Sequence, residues 1–169
     1  LYWTLNFFDD KLRHETIPKS LHNEHGDKIT IGSFADTRTY SLGVDIDSLD
    51  NITKKDIRDS VEKLSQYMVN RFRETCPTSV YSCFSGGGVY IYIHQNLFTK
   101  KFEDDKKAEY SWKMLTGCFN AYIKDIEDDF FEEHPECKGK VKADAINTKK
   151  RVFKTLFSVH KKYPFAVTP

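Results

Sequence analysis

The chain has 169 residues, of which 39% are hydrophobic and 30% are charged, and its formal net charge at pH 7 is +1. This length is sufficient for one domain with a buried core and is too short for two. No apolar run approaches the roughly 20 residues of a membrane-spanning helix, and no secretory signal opens the chain. We therefore expect one soluble intracellular domain, cytoplasmic, nucleoid-associated or nuclear, and we interpret its start at Leu1 as that of a domain excised from a longer protein.

Charge is distributed unevenly along the chain. Residues 103–136 contain eleven acidic and four basic side chains, whereas residues 138–162 contain nine basic side chains and a single acidic one, Asp144. The basic segment favours an anionic partner such as nucleic acid, although a charge run is also typical of a solvated face. The four cysteines are widely scattered, which is typical of reduced thiols rather than of a disulfide framework.

The first half of the chain predicts two strands and a helix. Its opening is polar and irregular to about residue 28, after four aromatic residues, Tyr2, Trp3, Phe7 and Phe8. Residues 29–34 and 39–46 are predicted strands, because β-branched and aromatic residues alternate there with small or polar ones. A helix is predicted next, from a capping box formed by Thr53 and Asp56 to the stop at residues 76–77.

A hairpin and a long helical region follow. Residues 79–84 and 89–94 are predicted strands, and the glycine-rich residues 85–88 between them permit a tight turn. Apolar residues at helical spacing over 112–130 predict either one long helix or two shorter ones with a break at Gly117. The acidic residues of this region are expected on the outer face of the helix.

The last elements are a short strand over residues 140–143, which leads into Asp144, and a brief helix over residues 148–154. Strands mixed with helices, together with a hairpin, are typical of an α+β fold. We therefore expect helices packed on a largely antiparallel sheet.

Three aspartates are the candidate metal ligands. Asp45 and Asp47 end an apolar strand, and side chains two residues apart on a strand point to the same face. Carboxylates this close repel each other unless a cation lies between them, so the pair indicates a site for Mg²⁺ or Mn²⁺; the alternative is a strand-end turn with solvated acids. Two-metal phosphoryl transfer needs a third carboxylate, for which Asp144 is the candidate. Its alternative role is a salt bridge with Lys140 or Lys142.

Two further segments are suited to binding phosphate. Ser85, Gly86 and Gly87 offer a hydroxyl and accessible backbone amides, although such glycines often serve only to reverse a hairpin. Residues 154–162 contain lysines, including Lys154 and Lys161, that suit a triphosphate, and His160, which would donate to a phosphate oxygen or a sugar hydroxyl. The alternative for a single histidine is an incidental position.

In this order, the segments resemble the archaeo-eukaryotic primase superfamily. Its small catalytic subunits carry an hhhDhD strand, an S-G-x-x-G turn, an hhD strand and a closing S-x-H. The corresponding segments here are Gly43-Val44-Asp45-Ile46-Asp47, Ser85-Gly86-Gly87-Gly88, Val141-Lys142-Ala143-Asp144 and Phe157-Ser158-Val159-His160. Lys154 stands six residues before His160, as a lysine does before F-S-V-H in eukaryotic-type small subunits.

The resemblance implies a primase-polymerase (RRM-like) catalytic core that transfers nucleotides from NTP or dNTP to a 3′ hydroxyl on a single-stranded DNA template. It implies a primase large subunit or a helicase as a partner, and no membrane. It also implies that two Mg²⁺ or Mn²⁺ ions are held by Asp45, Asp47 and Asp144. The implied nucleotide-binding residues are Ser85, Gly86, Gly87, Lys154, Ser158, His160 and Lys161. Tyr163 or Phe165 would be available for base stacking.

One departure from the family pattern leaves alternatives open. The family places an arginine and then a histidine after the glycine turn, where Gly88 and Ile91 stand here; His94 would point to the opposite face from Ile91 unless a bulge intervenes. A non-catalytic nucleotide- or nucleic-acid-binding subunit is therefore one alternative, and a repair or end-joining polymerase on the same fold is another. Structural zinc is not expected, since the interval that carries a zinc knob in many family members offers three candidate ligands rather than four, Cys118, His134 and Cys137.

Overall fold

The computed structural model describes residues 2–4, 7–8, 37–39, 42–94, 97, 105–145, 152–154 and 156–169. In chain order the strands are β1 (Tyr2–Thr4), β2 (Phe7–Phe8), β3 (Thr37–Thr39), β4 (Leu42–Ser48), β5 (Val80–Phe84), β6 (Gly88–Ile93), β7 (Val141–Asp144) and β8 (Val152–Lys154). The α-helices are α1 (Lys55–Thr75) and α2 (Asp105–Glu133), and a 3₁₀ turn, Pro135–Cys137, follows α2.

A four-stranded antiparallel sheet forms the centre of the fold, in the spatial order β5-β6-β4-β7. Strands β5 and β6 are the predicted hairpin. Two-stranded antiparallel pairs form between β1 and β8 and between β2 and β3. The predicted α+β class, with helices packed on a largely antiparallel sheet, is confirmed.

The two faces of the sheet differ because side chains alternate along each strand. Val44 and Ile46 of β4 and Ile91 of β6 are fully buried and belong to one apolar core with α1 and α2. Each such side chain contributes about 1.5–3 kcal/mol through burial. The intervening residues of β4, Asp45 and Asp47, point to the opposite face. The helices therefore cover one face of the sheet and the acids lie on the other.

Helix α1 begins later than the capping-box pattern predicts. The backbone N–H and the hydroxyl of Thr53 both donate to Asn51 Oδ1, at 3.0 and 2.9 Å, so Thr53 belongs to a local turn. The residue before the helix, Lys54, forms no side-chain cap hydrogen bond. The predicted capping box is wrong, whereas the predicted end is confirmed, since Pro77 cannot continue the helix.

Helix α2 is a single helix of 29 residues with Gly117 in its interior. Its acids do not all lie on the outer face as expected, because Glu127 is only 9% exposed. Glu127 Oε1 accepts a hydrogen bond of 2.7 Å from the backbone N–H of Ala143. This contact ties α2 to the edge strand β7, one residue before Asp144.

The structure corrects the assignments near both ends of the chain. Residues 152–154 form a strand rather than the end of a helix, because they pair with β1 and because Val152 and Phe153 favour extended backbone once a partner strand is present. Residues 2–4 and 7–8 also form strands where an irregular opening was expected. The predicted strand over 29–34 and the start of the predicted helix, residues 148–151, lie outside the described residues.

All four cysteines are free thiols, as the scattered spacing predicts. Within the described ranges, no helix combines the length and apolar character that crossing a membrane requires.

Gly88 provides a test of the sheet packing, because a Cβ atom at this position would lie 1.8 Å from the carbonyl oxygen of Ile46. We expect Gly88→Ala to push β4 and β6 apart and to lower the free energy of unfolding by about 2 kcal/mol. Gly117→Ala is the matched control, since no atom lies within 4 Å of a Cβ there. Helix propensity predicts a gain of about 0.5–1 kcal/mol for the control. Urea unfolding followed by circular dichroism measures both changes, and equal stability of the two variants would contradict the packing argument.

Candidate functional site

Three aspartates lie on one patch of the sheet face opposite the helices. Asp45 and Asp47 are two residues apart on β4 and share this face. Strand β7 pairs antiparallel with β4 so that Asp144 is directly opposite Asp45. Side chains directly opposite each other project from the same face, with Cβ atoms about 4.5–5.5 Å apart. The strand register therefore gathers carboxylates that are distant in the chain.

The donor chemistry of this patch suits a hard divalent cation, because Mg²⁺ and Mn²⁺ prefer carboxylate oxygens. As the side chains stand, no group of three or more His, Cys, Asp or Glu in the described part of the chain is arranged to hold a metal ion. The strand register brings Asp45 and Asp144 opposite each other, and carboxylates that lie close together repel one another unless a cation neutralises them.

The lysines of β7 and the preceding turn contact other acids. Lys142 Nζ lies 3.9 Å from Asp47 Oδ2, and Lys140 Nζ lies 3.4 Å from Asp56 Oδ2. Both contacts involve exposed or half-exposed side chains, for which ion pairs contribute little, about 0–1 kcal/mol. Lys142 and Lys140, the residues considered as partners of Asp144, thus lie close to Asp47 and Asp56.

The glycine turn between β5 and β6 is fastened to the end of β4. Gly88 is directly opposite Asp47. The backbone N–H and the hydroxyl of Ser48 both donate to the carbonyl oxygen of Gly87, at 3.2 and 2.7 Å. Gly86 has a φ of +91°, a conformation that glycine adopts at little cost. These contacts hold the turn beside the acids.

Lys154 and His160 contact the same turn. Lys154 Nζ donates a hydrogen bond of 3.2 Å to the backbone carbonyl of Ser85, which is itself buried. A Cβ atom at Gly86 would lie 2.5 Å from the Cβ of His160, and one at Gly87 would lie 3.2 Å from His160 Nε2. The absence of side chains at Gly86 and Gly87 therefore leaves the space that the imidazole occupies. The glycine turn and the segment that contains His160 are thus in contact.

The charge of Lys154 lies near both the turn and the acids. Burial lowers the pKa of Lys154, and the carboxylates of Asp45 and Asp47 oppose this shift. A cation that interacts with both acids and with the turn is placed to attract an anionic ligand between them.

His160 is held as a neutral imidazole. Its Nδ1 accepts hydrogen bonds from the backbone N–H groups of Lys162 and Tyr163, both at 3.1 Å, so the proton of the neutral ring is on Nε2. Burial, followed by the charges of Lys154 and Lys162, lowers the pKa of His160. The ring also stacks on Tyr163, with centroids 5.2 Å apart. The result is an oriented Nε2–H donor next to Gly87.

Tyr90 is a residue of this site that the motif comparison missed. It is directly opposite Asp45, so its side chain shares the acid face, whereas Ile91 is fully buried on the helix face. Burial, followed by the charge of Asp45, raises the pKa of Tyr90, and its hydroxyl forms a hydrogen bond with the backbone of Lys154. The alternation of β-branched residues with tyrosines along β6 was the signal that could have identified it.

The other candidate residues are more peripheral. The carbonyl of Ser158 accepts a hydrogen bond of 3.0 Å from the N–H of Val167, and Lys161 is exposed next to His160. His94 follows the far end of β6, where its ring contacts that of Tyr81. The zinc candidates differ in environment: Cys118 is exposed, Cys137 is buried, and the ring of His134 packs against Phe130.

Comparisons of this chain with protein-family models, with curated proteins and with solved structures find no match. The interpretation of the site therefore depends on its own residues and geometry.

The hydrogen bonds that Nδ1 of His160 accepts predict that the stability of the folded protein depends on pH. Because the folded state lowers the pKa of His160, this residue contributes stability above the ordinary histidine pKa of about 6.5 and loses it as the pH falls. We expect the Tm of the wild type to fall more steeply than that of His160→Asn between about pH 7 and about pH 5, since Asn Oδ1 accepts hydrogen bonds without titrating. Thermal melting across this range measures the difference, and parallel Tm curves would contradict the assigned tautomer.

Proposed function

We propose that this chain is the catalytic domain of a DNA primase or polymerase on a primase-polymerase (RRM-like) core. It would transfer a nucleotide from NTP or dNTP to a 3′ hydroxyl on a single-stranded DNA template. The observation that carries this proposal is the antiparallel register that sets Asp144 opposite Asp45, at the end of the sheet where Lys154 and His160 contact the glycine turn. Carboxylates beside cationic and hydrogen-bond-donating groups are what metal-dependent nucleotidyl transfer requires.

The proposed metal ligands are Asp45, Asp47 and Asp144. Mg²⁺ or Mn²⁺ bound there would lower the pKa of the attacking hydroxyl and neutralise charge on the transferring phosphate. Tyr90, directly opposite Asp45 on the same face, is protonated at pH 7, as a tyrosine with its ordinary pKa of about 10 is, and adds no negative charge there.

The residues of the turn and the C-terminal segment would position the triphosphate. The backbone amides of Gly86 and Gly87, against which the imidazole of His160 packs, would contact the phosphate chain together with the imidazole. His160 donates its Nε2–H from a ring whose orientation is set by two backbone hydrogen bonds. Lys154 supplies positive charge from a side chain anchored on Ser85. The remaining nucleotide contacts in this proposal are Ser158 and the exposed Lys161.

The proposed partners follow from the same chemistry. A single-stranded template is a polyanion, and the basic residues after position 138 favour its backbone. A primase large subunit or a helicase would accompany the domain at the sites of DNA replication inside the cell.

A second candidate function is a non-catalytic nucleotide- or nucleic-acid-binding subunit. The observation that favours it is the turn itself, which offers glycine where the primase pattern has arginine. Gly88 lies so close to Ile46 that no side chain can replace it without displacing β4. A subunit of this kind would bind template and nucleotide and would form no product.

Primer extension with either metal tests the first proposal. We expect Asp45→Asn and Asp144→Asn to reduce extension by about 100-fold or more, because loss of a metal ligand removes several kcal/mol of transition-state stabilisation. Asp59→Asn is the matched control, since Asp59 is on α1 and pairs with Lys55. Melting curves establish that all three variants fold.

Three outcomes separate the candidates. Extension by Asp45→Asn at the wild-type rate in Mn²⁺ would exclude the metal role of Asp45. Wild-type protein that binds template and nucleotide but makes no product with Mg²⁺ or Mn²⁺ would support the binding subunit. Product formed only when a primer with a 5′ phosphate is supplied, and none on templates without a primer, would favour the repair or end-joining polymerase.

A further inference from the structure

Three apolar side chains are exposed just before His160. Leu156, Phe157 and Val159 are 48%, 74% and 75% exposed, and we refer to them as the apolar rim. Lys161 and Lys162 follow in the chain and are also exposed. Large apolar side chains that lie in water beside cations are typical of an interaction surface rather than of a core.

The backbone holds the ring of Phe157 outward at a cost. Phe157 has a φ of 65°, in the left-handed region, which is a genuine outlier for a bulky residue. Its N–H donates to the carbonyl of Val167 at 2.8 Å, and Val159 pairs with Ala166 as in an antiparallel hairpin. Because the side chain of Phe157 is 74% exposed, its burial does not offset the backbone strain. Strained residues of this kind concentrate at functional sites.

The aromatic residues expected to stack on bases have other partners. Tyr163 stacks on His160, and Phe165 packs edge-on against Phe84, with centroids 5.8 Å apart. Both are partly buried against the core. Within the described part of the C-terminal segment, residues 156–169, Phe157 is the aromatic residue whose ring is mainly exposed.

We propose that the apolar rim is the platform on which a base of the single-stranded DNA stacks, with Phe157 under the base and Lys161 and Lys162 on the neighbouring phosphates. This inference depends on the proposed function and specifies where the strand lies. An exposed aromatic ring between cations binds single strands without sequence preference. The charge of residues 138–162, nine basic side chains and one acidic, favours a polyanion over an apolar protein surface as the occupant. Since His160 lies on the glycine turn, the stacked base would lie close to the nucleotide site.

Phe157→Gly separates this role from a structural one. Glycine adopts the φ of 65° without strain, so we expect the Tm to stay unchanged or rise. We expect the affinity for fluorescein-labelled oligo(dT), measured by anisotropy at fixed salt, to fall by about 10-fold, since one stacked base is lost. Phe157→Trp should retain the wild-type affinity. Tyr110→Ala, which removes a 67% exposed ring from α2, is the control and should also bind as the wild type does.

The outcomes distinguish this inference from the proposed function. Equal affinity of Phe157→Gly and wild type for oligo(dT), or absence of binding by the wild type, overturns the platform. If Phe157→Gly loses affinity while the wild type forms no product with either metal, the platform stands and the catalytic proposal fails. If sedimentation shows that the wild type self-associates and Phe157→Gly does not, with DNA affinity unchanged, the rim is a protein interface and the inference is wrong.

Discussion

The pairing of β7 with β4 is the interaction on which the proposed site depends. Strand β7 has only four residues and lies at the edge of the sheet, and its register with β4 sets Asp144 opposite Asp45. A slip of one residue would turn Asp144 toward the helix face. Glu127 opposes such a slip, because its carboxylate accepts a hydrogen bond of 2.7 Å from the partly buried backbone N–H of Ala143, which would lose this acceptor if the register changed. A helix on one face of the sheet thus secures the acids on the other.

On the side of β4 that faces β6, glycine residues satisfy two packing requirements. Gly88 lets β6 approach β4, and Gly86 and Gly87 leave room for the imidazole of His160. The same turn is held by Ser48 from the sheet and by Lys154 from the C-terminal segment. Residues suited to a phosphate chain are therefore also the residues that join the C-terminal segment to the sheet.

Expectations from the sequence were wrong where a particular partner, near or far in the chain, overrides the preference that the local pattern indicates. Thr53 resembles a helix cap, yet Asn51 accepts both of its donors. Residues 152–154 are the end of the predicted helix over 148–154, yet pairing with β1 makes them a strand. The family motif points to Ile91 after the glycine turn, whereas the pairing of β6 with β4 places Tyr90 opposite Asp45 on the acid face. In each case the deciding partner was a side chain or strand that local periodicity does not identify.

The sequence by itself determined the local elements: the hairpin around the glycine turn, the α1 periodicity, and the shared face of Asp45 and Asp47. These depend on side-chain alternation, helical spacing and the conformational freedom of glycine, which act between near neighbours. Only the tertiary structure decided that Asp144 lies opposite Asp45 and that His160 lies against Gly86. Those placements depend on strand register and on close packing between segments far apart in the chain, and no spacing along the sequence encodes them.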